Sequence, residues 1–211
     1  MRPRTLSRDA LVGAAVKIAD EEGLSAVTAR RLAAALEVTP SALYRHIDSK
    51  EELLDLMLAS VLDEVEVPAR DDPNSPTDHI VAVLSAQRQS LRRHPGVQLL
   101  FASRAVLTPA ALRVSEAVVS ELLAAGLSPA EATRAYAALS SYLLGDVLID
   151  RGRTTTMASG GTPDRIRDVL RRLPGDEFPS IVATADHWVE DRPDEAFDVG
   201  LRRQLTAILQ T

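Results

Sequence analysis

The chain has 211 residues, 24 Lys/Arg against 30 Asp/Glu for a formal charge of −6, and no cysteine. This length accommodates one large domain, or a small one joined to a larger one. The 45% apolar and 26% charged content excludes a disordered chain, the missing cysteines exclude disulfide staples and thiolate chemistry, and no uncharged apolar run is long enough to cross a membrane.

Residues 1–6 form a short basic arm, with Arg2 and Arg4 placed either for phosphate or minor-groove contact or as a frayed end. A first helix is expected from the Ser7 cap to about Glu22. Leu11, Ala14, Ala15, Ile18 and Ala19 form its apolar stripe, and Gly23 ends it. Thr28 then caps a second helix whose stripe is Leu32, Ala33 and Leu36. Glu37 and Val38 make a tight turn. Thr39 is expected as a further N-cap, with Pro40 at the first helical position. The helix it opens is about two turns long. It carries Leu43 and Ile47 inward and turns Ser41, Ala42, Tyr44, Arg45 and His46 outward.

Ser49 opens the next helix with a capping box closed by Glu52. Its apolar positions, from Leu53 and Leu54 through Met57, Leu58, Val61, Leu62 and Val65, wrap a wide face before Pro68 stops it. Residues 68–76 read as a linker between an N-terminal unit, residues 1–67, and a larger second unit, residues 77–211.

Thr77 is expected to cap the next helix, with Ile80, Val83, Leu84, Gln87 and Leu91 on one face and His94-Pro95-Gly96 at its end. A short apolar segment, residues 97–105, follows. Thr108-Pro109 starts a helix with Leu112, Ser115, Val119, Leu122 and Leu123 as its stripe, ending at Gly126. Ser128-Pro129 with Glu131 starts a long helix, rich in small residues, to about Arg151. Residues 152–163 read as loop. A short amphipathic helix carries Ile166, Val169, Leu170 and Leu173, and residues 178–189 form an irregular helical stretch. The last helix follows Arg192-Pro193, with Phe197, Leu201, Leu205 and Ile208 as its stripe and Gly200 implying close packing. No strand alternation occurs, so the fold class is all-α: an N-terminal helix-turn-helix unit and a larger C-terminal helical domain.

An acidic chain is a poor nucleic-acid binder on average, but distribution outweighs the total. Up to Ile47 there are seven Lys/Arg against five acids, with the bases gathered in the arm and the helix-turn-helix. A short exposed helix with small residues at its start, then Tyr and Arg, suits the major groove. No His, Asp or Glu spacing matches a metal or catalytic motif, so neither an enzyme nor a cofactor is expected.

Residues 28–50 resemble the DNA-binding domain of TetR-family repressors. The carriers are Thr28-x-Arg30-Arg31-Leu32-Ala33, Leu43-Tyr44-x-His46-Ile47 and Lys50-x-x-Leu53-Leu54. Weaker likenesses to the tetracycline-repressor-like branch run through the second unit: Gly96, Ser103-Arg104, Ala125-Gly126-Leu127-Ser128, Leu144-Gly145-x-Val147-Leu148 and Phe197-x-x-Gly200-Leu201. With no long apolar run and no signal-peptide core at its N-terminus, the chain is expected in the cytoplasm. The resemblance implies a homodimer on a palindromic DNA operator, joined through a bundle of residues 128–151 and 193–209 with their mates. It also implies repression released by a small-molecule effector. A constitutive DNA-binding protein whose second domain only dimerises is the alternative.

On this reading Arg45 and Ser41 contact bases. Thr28, Tyr44, His46 and Lys50 hold phosphates, Arg30 does either, and Thr39 and Ala42 let the helix start approach the duplex. Leu100, Phe101, Ser103 and Arg104, with Tyr136, Tyr142 and Trp188, are the candidate effector-binding residues, although Arg104 is equally placed to pair with an acid. In that branch a magnesium–drug complex is held by a His and an acidic residue. The matching positions here are Leu100 and Ile149, which cannot ligate Mg²⁺.

Overall fold

The structure, a computed structural model, describes residues 6–70, 75–104, 108–158, 162–188 and 194–210. Arg2 and Arg4 of the arm, linker residues 71–74, loop residues 159–161, and Val189, Arg192 and Pro193 lie outside them. Every regular element among the described residues is helical.

The N-terminal part follows its sequence signals closely. In α1 (Arg8–Glu22) the Ser7 hydroxyl accepts the Ala10 N–H at 3.1 Å, and Leu11, Ala15, Ile18 and Ala19 are buried. Gly23, at φ 89°, closes it. After one 3-10 turn, α2 (Ala29–Leu36) starts on Thr28, whose hydroxyl accepts the Arg31 N–H at 3.2 Å. Glu37 then takes the left-handed conformation, φ 55° and ψ 40°. The Val38 N–H reaches Ala33 O and the Glu37 N–H reaches Ala34 O, a Schellman closure with glutamate where glycine is favoured.

The next helix, α3 (Pro40–Leu43), is shorter than expected, and Thr39 does not cap it through its side chain. The Ala42 N–H, which a capping hydroxyl would accept, is taken by the Thr39 carbonyl, and the Thr39 hydroxyl meets that of Ser41 instead. In α4 (Lys50–Asp63) the capping box forms with a shift of one residue. Ser49 accepts the Glu52 N–H at 3.1 Å, and Glu52 accepts the Asp48 N–H at 2.6 Å.

The remaining helices are α5 (Pro76–Arg93), α6 (Gln98–Ser103), α7 (Pro109–Ala124), α8 (Pro129–Ala158), α9 (Pro163–Arg171), α10 (Pro179–Thr184) and α11 (Asp194–Leu209). Ser75, not Thr77, caps α5, because Pro76 takes the first helical position behind it. The segment after Gly96 is helical as α6. The long helix continues seven residues beyond Arg151, since Gly152 alone does not stop a helix when no proline follows before Pro163. In α7 the buried positions are Val114, Val118, Glu121 and Leu122. Leu112 and Leu123, expected in its stripe, are 47% and 42% exposed. The α9 stripe also stays outside the core, with Val169 58% exposed.

One hydrophobic cluster runs from α1 through α4 into α5, α7, α8 and α11. Met57, Leu58 and Val61 on α4 are almost wholly buried within it, and the Ser90 hydroxyl of α5 bonds the Val61 carbonyl at 2.8 Å. The N-terminal head therefore has no separate core: α4 belongs to both parts. A buried arginine fixes the far end of the body. Arg88 on α5 contacts Asp146 of α8 and Asp194 of α11, each at 2.5 Å, with its guanidinium 4.7 Å from the Phe197 ring centre. Burial lowers the Arg88 pKa, but the bonds to Asp194 and Asp146 outweigh that and raise it.

Candidate nucleic-acid interface and effector cleft

Three helix starts present the expected DNA-contacting residues. Thr28 at the start of α2, Ser41, Tyr44 and Arg45 on or just after α3, and Lys50 at the start of α4 are all exposed, as is Arg30. Tyr44 is 57% exposed, an unusual setting for a large aromatic ring and one suited to stacking on a backbone. Leu43 and Ile47 anchor this outward group at 1% and 5% exposure. Ala42 and His46 are half-buried, less outward than the pattern suggested. The exposed Thr39 and Ser41 hydroxyls lie 3.1 Å apart.

The head's cations divide into two sets. Arg8 pairs with Glu52, tying α1 to α4. Arg31 bonds Glu22 through both Nε and Nη2, the latter at 2.5 Å, tying α2 to α1. Those bonds pull the Glu22 carboxyl below its usual range and raise Arg31. Arg30, Arg45 and Lys50 engage no carboxylate among the described residues, so their charge is open to a polyanion. These three are the cations that the sequence singled out.

The expected effector set does not converge. Leu100 is buried in the core, at 4% exposure. Phe101 is half-buried, and the Ser103 hydroxyl turns back to the Leu99 carbonyl at 3.0 Å. Arg104 faces the head instead, reaching Asp55 at 2.5 Å and also Glu51, and the bonds to Asp55 and then Glu51 raise its pKa. Tyr136 bonds the Ser115 hydroxyl at 2.7 Å. Tyr142 stacks on Phe197 with ring centres 5.3 Å apart, and Trp188 is 58% exposed with its indole N–H on Thr184. Ile149, the other position bearing on a metal–drug complex, is 54% exposed.

A different concavity is present. An open cleft of about 700 Å³ is lined by Val67, Pro109, Leu112, Ser115, Ala117 and Val119, with Arg113 and Glu116 also on its walls. The sequence signal for it was Leu112, which completes an apolar stripe yet has no core position to fill. Nothing in the local pattern brought Val67 to α7. No group of three or more metal-ligating side chains occurs among the described residues.

Residues 11–57 match the family described as bacterial regulatory proteins, tetR family, and residues 73–211 match the tetracyclin repressor-like C-terminal domain. The chain belongs to the TetR family of bacterial regulatory proteins. An HTH-type transcriptional regulator of Saccharopolyspora erythraea is 37% identical over 142 residues, which is 67% of this chain and 60% of that protein. The chain thus matches less than two thirds of that relative's length. The tetracycline repressor protein class G of Vibrio anguillarum is 28% identical, covering 93% of this chain and 90% of the repressor. The structure of ActR from Streptomyces coelicolor in complex with actinorhodin superposes with a TM-score of 0.85 at 29% identity, covering 97% of each chain.

Proposed function

We propose that the protein is a homodimeric repressor that binds a palindromic operator and is released by a largely apolar small molecule. The observation that carries the DNA reading is the exposed Tyr44-Arg45 pair. It stands on a short helix anchored by Leu43 and Ile47, with Arg30 and Lys50 unengaged beside it. Two such heads related by a twofold axis read two half-sites. The dimer reading is supported by the outer faces of α8 and α11. Ile149 and Val199 are 54% and 47% exposed there, and a Cβ added at Gly145 or Gly152 would meet no neighbour, leaving a smooth face for a mate.

The effector reading moves from the Arg104 region to the cleft on α7. Its walls are mainly apolar, with one guanidinium and one carboxylate at the side. The relatives named as a tetracycline repressor and as ActR in complex with actinorhodin support a small-molecule effector. A ligand seated between Val67 and α7 touches the segment leaving α4, so it favours one head position over another only through unequal contacts.

The test starts by selecting DNA from a random pool with the pure protein. Two chains per duplex and an inverted repeat are expected. Compounds are then screened for release of that duplex, with Leu112→Trp as the filled-cleft control. A compound that releases Leu112→Trp as readily as wild type refutes the cleft as the site.

A further inference from the structure

Head and body meet at a second place besides α4, and a histidine sits at its centre. At the end of α5, the His94 Nδ1 lies 2.8 Å from an Asp20 carboxylate oxygen on α1, and its Nε2 lies 3.1 Å from Glu64 at the end of α4. The other Asp20 oxygen accepts the Gly96 N–H at 2.8 Å. Both acceptors of the ring are carboxylates, which ionised can only accept. Only the imidazolium supplies an N–H to each. A neutral ring donates one bond and turns a lone pair towards the other carboxylate.

We propose that His94 is a proton-dependent positioning residue: as imidazolium it bridges Asp20 and Glu64 and fixes the head's angle on the body, and its neutral form loosens that joint. The charged groups around it are few. Asp20 comes from α1 and Glu64 from the end of α4. Arg93, on its own helix, lies 3.5 Å from Glu64. Nearby Glu21 is paired with Lys17. No cation other than Arg93 shares the two carboxylates among the described residues, so deprotonating the ring strips the histidine N–H from one of them: either Asp20 keeps only the Gly96 N–H, or Glu64 keeps only Arg93. Gly96 has no room to retreat inward, because the chain there lies against the α1 backbone. Loosening therefore shows as movement of α1 away from the 94–96 turn.

The consequence for operator binding rests on the DNA-binding reading, but the joint itself can be measured without DNA. The chain has no cysteine, so Gly13→Cys on the exposed side of α1 and Ser120→Cys on α7 give one label pair across the joint. Doubly labelled chain is diluted with unlabelled chain, and the spin–spin distance distribution is recorded at pH 6 and pH 8. Wild type is expected to be narrow at pH 6 and broadened or shifted at pH 8. His94→Gln is expected to be broad at both, and Asp20→Asn serves if that variant folds poorly. Identical wild-type distributions at the two pH values overturn the proposal.

With operator DNA, the ratio of wild-type to His94→Gln affinity is expected to change about tenfold between pH 6 and pH 8. Any pH effect that does not pass through His94 is common to both proteins and cancels in the ratio. A ratio independent of pH, with DNA bound, also overturns the proposal. Failure to bind any DNA counts against the repressor reading and leaves the distance experiment to decide the joint.

Discussion

Replacing Gly96 with alanine tests how tightly the head is seated on the body. Among the described residues the glycines with positive φ are Gly23 and Gly126, so Gly96 is not held by an unusual backbone conformation. It is held by space. A Cβ there would lie 2.2 Å from both the carbonyl carbon and oxygen of Ala19 and 2.6 Å from the Asp20 nitrogen. Ordinary carbon contacts begin near 3.5 Å, so the turn must withdraw from α1 by roughly 1.3 Å. Both surfaces are backbone, and no side chain can rotate aside.

Overpacking of this kind costs about 1–3 kcal/mol. The withdrawal also stretches the Gly96 N–H bond to Asp20, a bond to a charged group worth about 1.5 kcal/mol. A total loss of about 3 kcal/mol is expected from urea unfolding monitored by helical circular dichroism.

Gly200→Ala is the matched comparison. Its Cβ would meet the Tyr142 hydroxyl at 2.0 Å and the ring carbon that bears it at 2.7 Å, but this is the far end of a side chain which can swing, giving up a 3.5 Å contact to the Phe197 carbonyl and part of the stack on Phe197, about 1 kcal/mol. Alanine also recovers about 1 kcal/mol of helix propensity, so the net change is expected within about 1 kcal/mol of zero. A Gly96→Ala protein as stable as wild type, or two alanine variants of equal cost, would refute the reasoning.

Glu37→Gly should raise stability by about 0.5–1 kcal/mol, because glutamate holds a left-handed position at α2's end; an unchanged urea midpoint contradicts this. Asp194 is held below the usual carboxylate range, first by the hydrogen bond from Arg88 and then by the charges of Arg88 and Arg92. A depressed carboxylate adds stability that is complete above its unfolded value of about 3.9 and is lost as pH falls through the folded value. The gap between wild type and Asp194→Asn should therefore be the same at pH 7 and pH 5 and shrink progressively once pH falls below about 4, as read from unfolding at pH 7, 5 and 3. Arg104→Met should lower stability by about 1 kcal/mol through loss of the Asp55 and Glu51 pairs, and leave compound-induced release intact. Unchanged stability with lost release would return Arg104 to the ligand site.

The helix-turn-helix was legible because local rules decide it. Thr28, Ser49 and Pro40 act within a few residues of themselves, and Leu43 and Ile47 are buried at the spacing that turns Tyr44 and Arg45 outward. Where a local rule failed, a neighbouring group had taken the partner. Thr39 lost its capping role because its own carbonyl takes the Ala42 N–H and its hydroxyl meets that of Ser41, and Thr77 lost its role to Ser75 because Pro76 holds the first helical position. The candidate effector residues are spread apart for a different reason. Arg104 finds Glu51 and Asp55 about fifty positions away, and Val67 finds α7 across a linker, pairings that no periodicity encodes. His94 was equally silent: a lone histidine before Pro95-Gly96 reads as a helix end until Asp20 and Glu64 are seen around it.

The most direct test of the central claim is the affinity of the selected duplex for wild type and for Arg45→Ala with Tyr44→Ala, followed by fluorescence anisotropy at fixed salt. A loss of about a hundredfold on the selected palindrome, with a much smaller loss on random DNA, is expected if these two residues read and seat the operator. Equal affinity of the variant and wild type for the palindrome would contradict the assignment of α3 as the reading helix.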